Sequence, residues 1–198
     1  MIGKSALHAL RVALRVDQPH TQTTLAEQRS LVAHARNRLR AVEIGVYEGA
    51  NTVRIAGALG PAGVLYAVDP FFSGSLGICW GEVISRRHVS VSGHRPKVVF
   101  VKAFSWDALK SVGERLDFVF LDGDHSLEGI TRDWEDWSQR IVPGGVILLH
   151  DTRASVHNPG VEKLGSALYF EQHIRHDPRF RLVEQVDTMS VLERRPEE

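Results

Sequence analysis

The feature that most constrains this chain is a repeated alternation. A short apolar run is followed by a glycine- or acid-bearing turn, and then by a stretch with helical spacing. The runs are Ala41–Ile44, Val64–Val68, Lys97–Val101, Asp117–Leu121 and Val146–Leu149. Runs this short and this continuously apolar suit strands buried on both faces, as in a parallel sheet. Between them lie helical patterns. Thr24 and Glu27 have capping-box spacing before an apolar face of Leu25, Leu31, Val32 and Ala35, which predicts a helix to about Asn37. A second helix is expected from Ala50 to Leu59, stopped by Gly60-Pro61-Ala62-Gly63, and another from Ser105 to Val112. Leu127, Ile130, Trp134 and Trp137 share one helical face, and Gly160–Ile174 predicts a last helix. Phe180–Val186 and Met189–Leu192, joined only by Asp187-Thr188, read as an antiparallel pair. The expected fold is therefore α/β: a Rossmann-like, mainly parallel sheet of about seven strands, with a C-terminal antiparallel pair and helices on both faces.

The expected organisation is an N-terminal helical segment over 1–39 packing on the domain, the domain itself over 40–193, and a frayed tail over 194–198. Phe71–Pro96 breaks the alternation with Gly74, Gly77, Gly81 and Gly93. It is expected as a loop with one short helix, a candidate lid, with His88 and His94 exposed to solvent. At 198 residues with 24 Lys+Arg against 24 Asp+Glu, the formal net charge is zero. That gives no electrostatic case for a nucleic acid or an anionic membrane as partner. A single cysteine, Cys79, excludes an internal disulfide and fits a reducing cytoplasm. No apolar run approaches the roughly 20 residues of a membrane span. Met1–Val16 is broken by Lys4, His8, Arg11 and Arg15, and reads as a helix packing on its own domain or on a second subunit. A homodimer therefore stays open.

In open α/β sheets, ligands bind beyond the carboxyl ends of the strands. Here those ends carry Glu43-x-Gly45-x-x-x-Gly49, Asp69, Ser105, Asp122-Gly123-Asp124-His125 and His150-Asp151. The first turn is glycine-rich, yet Tyr47 stands where a dinucleotide fingerprint needs its second glycine, and no Gly-Lys-Ser/Thr follows. Glu43 and Glu48 would repel phosphate and suit a ligand with a positive centre. Asp69, at the end of the second strand, can accept hydrogen bonds from ribose hydroxyls. An adenosine-bearing cation, S-adenosylmethionine, fits this combination.

Glu43-Ile-Gly-Val-Tyr-Glu-Gly49, Val68-Asp-Pro70, Phe120-Leu-Asp-Gly-Asp-His-Ser-Leu-Glu-Gly129 and Pro143-Gly-Gly-Val-Ile-Leu-Leu-His-Asp-Thr152 resemble the class I S-adenosylmethionine-dependent methyltransferases. The nearest resemblance is to a small bacterial group with Asp-Gly-Asp-His-Ser and His-Asp-Thr motifs, itself similar to the catechol and caffeoyl-CoA O-methyltransferases. It covers about Thr24 to Thr152. It implies that Glu43, Gly45, Tyr47 and Gly49 frame the methionine part of the cofactor, and that Asp69 holds the ribose. Ser105 and Trp106 would meet the adenine, with Asp122 also at the cofactor.

The resemblance further implies a divalent cation, Mg2+ or another, on Asp122, Asp151 and the neighbouring Thr152. Relatives often carry Asn at this last position. They also often carry a Lys base after the fourth strand. Here His125 stands nearest, with Asp122 beside it, as the candidate catalytic pair; His125 and His150 are also candidate ligands. The expected activity is transfer of a methyl group to an oxygen of a small-molecule acceptor. A nicotinamide-dependent oxidoreductase and a non-catalytic cofactor-binding protein are the competing readings.

Overall fold

The computed structural model describes residues 4–74, 77–156 and 158–196. Seven strands form one sheet: β1 (Arg40–Ile44), β2 (Val64–Val68), β3 (Val98–Val101), β4 (Leu116–Leu121), β5 (Ile141–Leu149), β6 (Phe180–Val186) and β7 (Met189–Arg194). Their order is β3-β2-β1-β4-β5-β7-β6. β1 to β5 pair in parallel, β7 runs antiparallel to β5, and β6 pairs antiparallel with β7. The chain leaves β1 toward β2 and β3 on one side, then returns to lay β4 on the other. The carboxyl ends of β1 and β4 therefore flank the point where strand order reverses, the place such sheets bind ligands.

Helices cover both faces. α1 (Lys4–Ala13), α2 (Leu25–Ala35), α3 (Ala50–Ala58) and α4 (Trp80–Val91) come first in the chain, followed by α5 (Ser105–Ala108), α6 (Leu127–Ser138) and α7 (Gly165–Gln172). Alternate strand residues feed two separate cores. Ala41, Leu65, Phe118, Phe120 and Leu148 pack with Leu31, Ile55 and Val89 of α2, α3 and α4. Val42, Val119, Leu121 and Ile147 pack with Ile130, Trp134, Trp137 and Phe170 of α6 and α7. α1 stands apart, seating Ala9 and Val12 on Ile84 and Trp80 of α4. Among the described residues, no helix is long and apolar enough to cross a membrane.

The Thr24 capping box forms as expected: Thr24 Oγ1 accepts from Glu27 N, and Glu27 Oε2 accepts from Thr24 N. Several expectations change. The 71–96 segment holds a full twelve-residue helix, α4, opened by Cys79 and carrying α1. His88 and His94 are half-buried rather than exposed, and burial, with the charge of Arg54, lowers the pKa of His88. The helix after β3 is only four residues long, and Gly160–Ile174 splits into a 3-10 turn, α7 and a second 3-10 turn. Leu127 is exposed at the start of α6 while Ile130, Trp134 and Trp137 are buried. Pro143 and Gly144 sit in a bulged stretch of β5, where the register with β4 shifts. Arg194 belongs to β7, while Glu197 and Glu198 of the expected tail lie outside the described residues, as do Met1–Gly3 of the expected first helix.

Candidate active site

β1 leads into a turn whose geometry is fixed by neighbouring backbone. Gly45 has φ +88, and a Cβ there would collide with the carbonyl of Asp122 at the end of β4. Gly49, φ +77, would place a Cβ 2.9 Å from that of Ser85 on α4. Tyr47 takes a left-handed φ of 52 without being glycine, with its ring half-exposed. Such a backbone costs roughly 1–3 kcal/mol and persists only where its surroundings enforce it. Asp69 is the enforcing group. Its Oδ2 accepts from Val46 N (2.9 Å) and Tyr47 N (3.2 Å), and its Oδ1 accepts from Phe71 N (2.7 Å). A carboxylate offers about four acceptor positions, so one remains on Oδ1 for a ligand hydroxyl.

A cavity of about 540 Å3 opens beyond these strand ends. Of the expected site residues, Gly45, Tyr47, Asp69, Ser105, Trp106, Asp122 and His125 line it. Glu43, Gly49, Asp151 and Thr152 stand behind the lining. His20, Thr21, Gln22 and Asp133 are also part of the wall. The first three come from the connection before α2, for which the sequence holds no readable signal. Asp133 did have one: it shares the helical face of Ile130, Trp134 and Trp137, a lone acid in an apolar stripe.

Glu43 is fully buried. Its Oε2 accepts from Thr52 Oγ1 at 2.6 Å, while Oε1 is buried without a hydrogen-bond partner. Burial above all, with the charges of Asp122 and Asp69, pushes its pKa up to about 8. At neutral pH it is a neutral acid beneath the turn. Glu48 points the other way, to His20 N and to His8. The charge argument for a cationic ligand therefore passes from these two glutamates to Asp69 and Asp122, two of the carboxylates on the cavity wall.

On the other side, Ser105 donates to the buried Asp133 carboxylate. Burial raises Asp133 to about 6 despite that bond. Trp106 stacks on Phe104 (centroids 4.5 Å apart, planes 5° apart), and Arg132 lies 4.1 Å from its centroid. Its ring faces are already engaged, so a base meeting Trp106 by stacking has to displace one of these neighbours.

The acid and histidine rim gathers at the ends of β4 and β5. His125 Nε2 lies 3.7 Å from both Asp122 Oδ1 and Asp151 Oδ2. His150 Nδ1 lies 3.0 Å from Asp122 Oδ1 and 3.6 Å from Asp151 Oδ1. Donor atoms of Asp122, His125 and His150 all fall within 4.8 Å of one another. Asp151 holds φ 52, and its Oδ1 is buried without a hydrogen-bond partner. Thr152 is a correction to the expected ligand set. It is buried, and its Oγ1 lies 3.1 Å from Thr188 O, to which it can donate, and 2.7 Å from Ser190 Oγ, on the β7 side of the sheet.

His150 is a buried histidine whose Nδ1 pairs in charge with Asp122 and Asp151 without a formed hydrogen bond. Its Nε2 lies 3.5 Å from Glu27 Oε2 and 3.3 Å from Thr188 Oγ1. Burial alone would lower its pKa, but Asp122, Glu27 and Asp151 override burial and carry it up to about 10. Glu27 Oε1 also accepts from Thr188 N and Oγ1 at 2.9 and 2.8 Å. Despite burial, these partners hold Glu27 down at about 2. The sequence marks Glu27 only as a cap; its tie to His150 belongs to the tertiary structure.

A family model described as a methyltransferase domain matches residues 42–152, from β1 through the rim. The chain belongs to this methyltransferase family. The nicotinamide reading gives way to that assignment. An uncharacterized protein, y4gI of Sinorhizobium fredii, is 27% identical over 139 residues; the match covers 66% of this chain but only 15% of that much longer protein. Among solved structures, an O-methyltransferase from Bacillus cereus in complex with SAH (S-adenosylhomocysteine) is 17% identical with a TM-score of 0.68, over 97% of this chain and 91% of that one. The Streptomyces achromogenes O-methyltransferase TomG, in complex with SAM (S-adenosylmethionine), is 19% identical at TM-score 0.64, over 98% and 91%. A methyltransferase from Geobacter sulfurreducens is 14% identical at TM-score 0.67, over 98% and 89%. At these identities they share the methyltransferase's fold.

Proposed function

We propose that this methyltransferase moves a methyl group from S-adenosylmethionine to an oxygen of a small-molecule acceptor. One observation carries the reading: a single cavity at the β1/β4 switch point joins the glycine turn and Asp69 to Asp122 and His125. Its volume, about 540 Å3, suits a small-molecule site. The solved O-methyltransferases in complex with SAH or SAM, similar in fold, support the same choice of cofactor and acceptor atom.

Methyl transfer is an in-line displacement, so the chain's own work is to hold, orient and deprotonate. Asp69 offers its remaining Oδ1 acceptor position to a ribose hydroxyl. Gly45 and Tyr47 bring bare backbone to the amino-acid end, and Ser105 and Trp106 border the base. His125 is within the cavity wall and takes the acceptor proton on Nε2, which faces Asp122 and Asp151, each 3.7 Å away. His150 stays behind as a buried cation that keeps the two carboxylates in place.

The rim also fits a divalent cation. The carboxylates of Asp122 and Asp151 would hold it, with His125 left to take the proton, and the unpartnered Oδ1 of Asp151 is the orphaned donor such a site leaves. When bound, the ion would lower the pKa of an acceptor hydroxyl and orient its oxygen.

Calorimetry with S-adenosylhomocysteine tests the cofactor; absence of binding at millimolar ligand overturns the reading. His125→Gln tests the base: turnover should fall about 100- to 10,000-fold with cofactor affinity nearly intact. Native turnover with an unchanged pH profile would assign the proton elsewhere. Chelation should reduce activity without unfolding, with Mg2+ or Mn2+ restoring it. Full activity in chelator with Asp151→Asn still active removes the cation.

A further inference from the structure

We propose that His8, His20 and Glu48 form a second metal site, for a divalent transition ion of the zinc type, that pins the N-terminal segment to the glycine turn. The three residues come from α1, from the connection before α2 and from the turn itself. One donor atom from each lies within 4.8 Å of the others. His8 Nε2 stands 3.0 Å from Glu48 Oε2, and His20 Nδ1 stands 3.5 Å from Glu48 Oε1. Zinc–nitrogen and zinc–oxygen bonds of about 2.0–2.2 Å make a tetrahedral edge of about 3.3 Å, and each histidine nitrogen stands near that distance from one of the two Glu48 oxygens.

The outer arrangement points the same way. The other nitrogen of His8, Nδ1, faces Asp17 Oδ2 at 3.4 Å. Asp17 is itself gripped by Arg11 through Nε at 2.8 Å and an Nη at 3.0 Å. A carboxylate behind a histidine fixes its tautomer with the proton on Nδ1, and so presents the Nε2 lone pair to an ion. Glu48 is buried and His8 nearly so, while His20 is 60% exposed. The His8 and His20 rings stack at 3.9 Å, 3° from parallel. Closing on an ion requires the exposed His20 ring to tilt out of the stack, which nothing buried prevents.

Two imidazoles with one carboxylate select a borderline ion over Mg2+. The site is separate from the rim, which uses Asp122, His125 and Asp151. Its consequence is local: His20, Thr21 and Gln22 form part of the cavity wall, so an ion here would fasten that wall to Glu48.

The test is calorimetric titration of the full chain, purified without a polyhistidine tag, with Zn2+ alone. Cobalt absorption reports coordination. Wild type should bind one more equivalent than the His8→Gln/His20→Ala double variant, whatever the rim takes. That equivalent should survive in Asp122→Asn/Asp151→Asn. Asp17→Asn should weaken it about 10- to 100-fold without removing a ligand. Zinc should also slow protease cleavage within residues 14–24. Equal zinc uptake by wild type and the double variant overturns the site, as does loss of all binding in Asp122→Asn/Asp151→Asn chains whose circular dichroism is native. Binding unchanged in Asp17→Asn overturns the assigned His8 tautomer and the geometry built on it.

Discussion

Two buried glutamates of this methyltransferase meet opposite fates. Glu27, beneath the end of β5, accepts from Thr24 N, Thr188 N and Thr188 Oγ1 and faces the buried His150. Glu43, beneath the glycine turn, has Thr52 on one oxygen and nothing on the other. Both are essentially inaccessible to water. One is held near 2 and the other is pushed up to about 8. Burial disfavours charge in both places, more strongly at Glu43; the partners of Glu27 outweigh it, and the single hydroxyl on Glu43 does not. Glu27 is therefore a charged, partnered support beneath the rim, and Glu43 a neutral floor beneath the glycine turn.

The largest expected effect comes from breaking the charged member. Glu27→Gln turns an amide N–H toward Thr24 N and the His150 imidazolium, and leaves that buried cation with Asp122 and Asp151 on one nitrogen alone. It should destabilise the fold by about 3–5 kcal/mol in a denaturant melt. A loss under about 1 kcal/mol would mean that the pair is not formed. Asp133 lies between the extremes, raised to about 6 with Ser105 as its partner. Ser105→Ala should cost about 1–3 kcal/mol and raise the Asp133 pKa further, seen by carboxyl NMR titration. An unmoved titration would deny that the serine holds it.

Below pH 4.5 the smallest effect should come from Glu43→Gln, which there replaces an acid neutral in both the folded and the unfolded chain. Stability in that range should change by less than about 1 kcal/mol, but its pH dependence should change. The folded value of about 8 lies above the ordinary 4.5. Its contribution is therefore whole below pH 4.5 and is lost as pH rises toward 8, where the folded state must ionise a buried acid. Glu27 has the reverse sign: whole above 4.5, and lost as pH falls toward 2. The Glu43→Gln protein should accordingly lose less stability than wild type between pH 5 and 8. Parallel melting curves across that range would show Glu43 to be ionised in the fold.

Much of this architecture is local and so was readable. Strand runs such as Val64–Val68, the Thr24–Glu27 cap and the Asp187-Thr188 hairpin depend on neighbours within a few residues. The strand-end rule then placed Gly45, Asp69, Asp122 and His125 around one cavity. What escaped was partnership at long range. The sequence held Thr152 as a ligand; packing against β7 spends its hydroxyl on Thr188 and Ser190. It read Glu43 and Glu48 as charges facing a ligand; the fold neutralises one by burial and ties the other to His8 and His20. By itself the sequence determined which elements form and which residue types reach the rim, because periodicity, caps and turns act over a turn or two of chain. Only the tertiary structure decided which carboxylates stay charged and what each one faces, because desolvation and pairing depend on atoms brought close from distant parts of the chain.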